Sequence, residues 1–116
     1  PTVDFAQAML SGLAPDGGLY VPETWPSVDA GLTRPGVPYG DVARSVLTTF
    51  AGTSLPAGAV DAAVSRLVER FRHDAVTPLV QLDANLWLLE LFHGPTAAFK
   101  DLAMQLAASL MDAALG

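Results

Sequence analysis

The sequence predicts an α/β fold, mainly helical with short strands and one hairpin, and three observations carry it. Apolar residues recur at helical spacing in two stretches, about 41–50 and 57–72. TPLVQLDANLWLLELF, residues 77–92, holds two apolar runs around a turn-forming Asp-Ala-Asn. A long apolar stretch from about Ala97 to Leu115 then reads as a final helix.

The elements follow in order. Asp4 can cap a first helix and Gln7 can reach back as its reciprocal partner, with Phe5, Ala8 and Met9 apolar and Gly12 as the stop. Pro15, Asp16, Gly17 and Gly18 have tight-turn chemistry. The glycine pair leads into an extended run and not into a helix, so it reads as a turn rather than a phosphate cradle. Leu19 to Val21 predict a short strand ended by Pro22, and Pro26 to Gly40 a surface loop. The helix starting at Asp41 aligns Ala43, Val46, Leu47 and Phe50. The next, about Ala57 to Arg72, aligns Val60, Val64, Leu67, Val68 and Phe71. Its Arg66, Arg70 and Arg72 form a solvated face near the end where cations favour the helix dipole. The hairpin arms are Leu79–Leu82 and Leu86–Phe92, and the second arm is apolar enough for a strand covered on both sides.

Composition narrows the function. Charged residues make up 16% of the 116, against a usual share of about 25%. A small domain should be more polar than average, so apolar surface is expected to meet a partner or further chain, and the second is favoured. A net charge of −6 with no basic stripe argues against nucleic acid. There is no cysteine, and His73 and His93 lack metal-ligand spacing, so no metal site is expected. No apolar run approaches the ~18 residues of a membrane span, and a cytoplasmic protein is the expectation.

The chemistry centres on ELFHGPTAAFKDLAMQ, residues 90–105. Lys100 is the chain's one lysine beside five arginines, and only lysine can lose its proton and act as a nucleophile. On the final helix, Asp101, Gln105, Ser109 (or Ala108) and Asp112 fall on one polar stripe. Lys100 falls on a face with Ala103, Met104, Ala107 and Met111. Apolar surroundings and a place in the first helical turn would both favour its neutral amine. A lysine there can equally snorkel to water or pair with Asp101, and position alone leaves both readings open.

GLAPDGGLYVPE and, some way downstream, ELFHGPTAAFKD together resemble the threonine synthase family, in which the second segment carries the pyridoxal phosphate lysine. The resemblance covers essentially the whole chain, with Ala97 standing where Leu is frequent. It implies the N-terminal portion of such an enzyme, starting late and ending early. Residues 1–75 would form the helical N-terminal domain, and residues 76–116 the first strand, loop and helix of a truncated fold-type II catalytic domain. Lys100 would hold pyridoxal 5'-phosphate and shuttle protons, and Phe99 would pack beside the cofactor. Thr96 and Asp101 would orient the lysine or contact the substrate, and His93 would fix the loop. The implied substrate is O-phospho-L-homoserine, converted with water to L-threonine and phosphate, and the implied partner is the remainder of the catalytic domain. These residues alone are expected neither to hold the cofactor tightly nor to turn over substrate. The rival readings are a threonine-synthase-like phospholyase and a non-enzymatic helical interaction module.

Overall fold

A computed structural model describes residues 2–116. The elements are α1 (Phe5–Ser11), a 3-10 turn (Ala30–Thr33), α2 (Tyr39–Ala51), α3 (Ala59–Arg70), β1 (Leu79–Asp83), β2 (Leu86–Leu89) and α4 (Asp101–Leu115). The α/β class is as expected, with α3 packed on both α2 and α4 and α1 lying against α4 and α2.

Local chemistry sets α1. The Asp4 carboxylate accepts from the Gln7 amide at 2.8 Å, the Gln7 side chain accepts from the Asp4 amide at 3.3 Å, and Gly12 closes the helix at φ +70°. The expected turn also forms, with the Asp16 carboxylate accepting from the Gly18 amide at 2.9 Å. Leu19–Val21 is a correction: the segment has no regular secondary structure and pairs with no strand among the described residues. Its backbone finds no neighbouring ladder, which a propensity reading cannot anticipate.

The core sits where α3, the chain after it and α4 meet. Ala63, Val64 and Leu67 of α3 are fully or almost fully buried, and Leu67 clusters with Phe71 and Val76. Tyr39, Val68, Leu102 and Leu106 pack around that cluster. Residues on both sides of position 75 therefore share one core. Burial holds the Tyr39 hydroxyl above its ordinary pKa. Val76 is completely buried although its φ is +60°, a conformation costly for a β-branched residue. That strain, about 1–3 kcal/mol, is comparable with the roughly 1.5–3 kcal/mol that burying a valine contributes. Arg44 ties α2 to α3, reaching Asp61 at 3.3 Å and Ser65 at 3.1 Å as well as Asp41 on its own helix.

The hairpin forms in antiparallel register, with Leu79 opposite Leu89 and Gln81 opposite Trp87, and an irregularity between Gln81 and Asp83. Its second arm stops at Leu89, short of the expected Phe92. The expectation that this arm is covered on both sides is corrected as well. Every residue of both strands is exposed, Trp87 by 51%. The apolar run marks a surface that can be covered, and these residues do not cover it. Among the described residues no helix is long and apolar enough to cross a membrane.

Candidate functional site

The segment that carries Lys100 leaves the hairpin at Glu90 and reaches α4 at Asp101. His93 holds its first part. Its Nε2 lies 2.6 Å from the Glu90 carboxylate, its ring stacks at a tilt on Phe92 and His73, and its carbonyl accepts from the Arg72 amide at 3.0 Å. These contacts agree with a loop-fixing role for His93.

Beyond His93 the chain makes a compact turn. The Gly94 carbonyl accepts from the Ala97 amide at 3.2 Å, the Ala98 carbonyl accepts from the Asp101 amide at 3.0 Å, and Ala97 sits at φ +60°. The turn is pinned by Asp101. One carboxylate oxygen accepts from the Thr96 amide at 2.8 Å, and the other from the Thr96 hydroxyl at 2.7 Å. Asp101 is only 6% exposed. The Thr96 hydroxyl bond is the main cause holding its carboxyl below the ordinary value, with backbone amides adding to it and burial opposing. Gly94 makes room for it. A Cβ on residue 94 would lie 2.5 Å from the Asp101 Oδ2.

This arrangement overturns the expected faces of the final helix. The helix starts at Asp101 and not near Ala97, because the turn occupies residues 94–98. Asp101 points inward, off the supposed polar stripe, since Thr96 offers it two donors. Leu102, Leu106 and Leu110 take the core side, where three leucines bury more apolar area than the alanines could. Of the face expected to hold Lys100 with Ala103, Met104, Ala107 and Met111, the first three residues are exposed, Met104 by 59%, while Ala107 and Met111 are half-buried. The low-dielectric surroundings expected for Lys100 are thus not provided by these residues, and its side chain is exposed.

Lys100 does stand at the positive end of the helix, as its N-cap residue. Among the described residues its amine enters no ion pair; the pairs are Arg44 with Asp41 and Asp61, and His93 with Glu90. Phe99 beside it is 64% exposed. An exposed primary amine of this kind can attach covalently to an aldehyde. No cluster among the described residues could hold a metal ion. An apolar groove of about 740 Å³ runs between α1, residues 20–23, α2 and α4, walled by Phe5, Met9, Tyr20, Leu47 and Phe50, with Lys100 outside it.

The sequence singled out Lys100, Phe99, Thr96, Asp101 and His93; the structure adds Gly94 and Glu90, which contact Asp101 and His93. The five-residue spacing from Thr96 to Asp101 and the i, i+3 spacing of Glu90 and His93 were the available signals.

The comparisons with known proteins agree on one family. Residues 1–67 match the family described as threonine synthase N terminus. A threonine synthase of Pseudomonas aeruginosa is 45% identical over 97% of this chain and 24% of its own length. A mouse protein named threonine synthase-like 2 is 39% identical over 96% of this chain and 24% of its own. The crystal structure of a PLP-bound threonine synthase from Brucella melitensis superposes with a TM-score of 0.91 at 52% identity, over 99% of this chain and 25% of that one. The chain thus spans about a quarter of the length of the curated relatives it matches. With a family match over more than half its residues and a backbone closely similar to that of a solved relative, the chain belongs to the threonine synthase family.

Proposed function

We propose that this chain supplies the lysine-bearing segment of a pyridoxal 5'-phosphate-dependent lyase that converts O-phospho-L-homoserine and water to L-threonine and phosphate. The observation that carries the reading is the exposed amine of Lys100 at the N-cap of α4, ahead of a helix anchored by its very next residue. The cofactor, when bound, supplies an electron sink for charge developed on the substrate. Lys100 holds that cofactor and, once displaced by substrate, moves protons at the substrate's α and β carbons. Phe99 offers an aromatic face beside the attachment point. Thr96 and Asp101 serve the lysine or the substrate. Residues 1–75 act as the helical N-terminal domain and 76–116 as the start of the catalytic domain, whose remainder is the partner. The two pack together through the cluster of Leu67, Phe71 and Val76. A cytoplasmic location suits an enzyme of amino-acid biosynthesis.

Borohydride reduction of the full-length protein with pyridoxal phosphate, followed by peptide mapping, tests this reading. Modification at Lys100, lost in Lys100→Ala, is the expected result. Modification elsewhere, or none, would overturn it. The second reading is a threonine-synthase-like phospholyase, which would keep Lys100 and release phosphate without forming threonine. Product analysis on the full-length protein separates the two.

A further inference from the structure

Resting on the reading of Lys100 as the cofactor-holding residue, we propose that Asp101 is a positioning residue. Clasped to Thr96 and seated against Gly94, it locks the turn that determines where the Lys100 side chain leaves the backbone.

Three observations support it independently. Asp101 is buried, and both of its oxygens are committed to Thr96, one to the amide and one to the hydroxyl. A side chain used in this way is not presented to a substrate. Residue 94 must lack a Cβ for the carboxylate to occupy its place, since that atom would come within 2.5 Å of Oδ2 and 2.6 Å of the Asp101 Cβ. Finally, Lys100 and Asp101 are consecutive, and Lys100 already has helical dihedrals, φ −66° and ψ −20°. Neighbouring side chains at a helix start diverge by roughly 100° around the axis. Fixing Asp101 inward therefore fixes the Lys100 side chain on the outward side.

A side chain with four rotatable carbons gains most from such an anchor, because reacting groups must be held in a narrow range of positions. Misplacement by ~1 Å can cost about a hundredfold in rate. Asp101 reaches the chemistry only through the backbone of Lys100, and so it is not itself a catalytic residue.

The test uses the full-length protein with Asp101→Ala, Asp101→Asn and Thr96→Val. Hydrogen exchange of the Thr96 amide, which needs neither cofactor nor turnover, should quicken by at least about tenfold in Asp101→Ala. With O-phospho-L-homoserine, kcat should fall about 10- to 100-fold while KM stays within about threefold. Asp101→Asn should recover part of both effects, since its one carbonyl oxygen can still accept from the amide. Thr96→Val keeps that amide bond and removes the hydroxyl, so a smaller fall in kcat is expected there, and it serves if Asp101→Ala does not fold. A rise in KM with kcat unchanged in Asp101→Asn or Thr96→Val would assign these residues to substrate contact and overturn the proposal. Undisturbed Thr96 exchange in a folded Asp101→Ala, with wild-type kcat, would overturn it too. Should borohydride label a residue other than Lys100, the assignment of the reacting lysine falls, whereas the exchange result still reports on the Asp101–Thr96 clasp by itself.

Discussion

Gly94 and Asp101 occupy each other's space, and the glycine is the partner that cannot grow. Gly94→Ala places a methyl against the carboxylate, so either the Thr96 bonds or the turn must give. Overpacking of this kind costs about 1–3 kcal/mol, readable as a lower urea midpoint at unchanged slope. The same carboxyl has a pH signature. Because the Thr96 hydroxyl, with the amides, holds its folded value below the ordinary 3.8, the unfolded chain binds the proton more readily. Its stabilisation is complete above about pH 4, declines as pH falls through the lowered folded value, and is gone below it. Asp101→Asn should therefore show a shallower acid loss of stability below about pH 4 than the parent, measured as urea midpoint against pH.

Among the elements, α1 is the one whose sequence explains itself. Asp4 and Gln7 satisfy each other's backbone amides without help from the rest of the chain. Asp4→Ala should cost about 1 kcal/mol of stability by thermal melting, the usual worth of such a cap. That independence from context is why the start of α1 was legible in advance. α2 and α3 were legible as helices, but only Val64 and Leu67 of their expected faces are buried within them, beside Ala59 and Ala63 in α3, while α2 buries Gly40 and Ala51 at its ends. α4 shows where legibility stops. Periodicity separates its faces but does not say which one turns inward, and a buried acid opposes the general rule. Asp101 faces the core because Thr96, five residues earlier and outside the helix, donates to both its oxygens. Leu19–Val21 fails as a strand for a related reason: a strand needs a neighbour, and nothing in those three residues specifies one. The candidate site was legible as a list of residues, while the mutual contact of Gly94 and Asp101 required the fold.

At the scale of the whole molecule, stability concentrates in a small volume. Val64, Leu67 and Val76 are the largest fully buried side chains, and Leu67 touches the cluster that joins α3 to α4. Leu67→Ala should destabilise by about 2–5 kcal/mol, the range for leucine deletions in cores, with a matching fall in melting temperature. Its effect should reach the Lys100 segment, since Leu102 and Leu106 of α4 pack on the same cluster.

The hairpin, by contrast, leaves and rejoins this body through a closed neck. The His93 carbonyl meets the Arg72 amide at 3.0 Å, and the Pro78 carbonyl meets the Glu90 amide at 2.9 Å. The finger beyond that neck is thus a detachable graft. Excising residues 79–89 and bridging Pro78 to Glu90 with a two-residue glycine link should leave the melting temperature of the helical body within a few degrees of the parent, the scale of a change of about 1 kcal/mol. A collapse of helicity on excision would instead mean that the finger props up the body from which it grows.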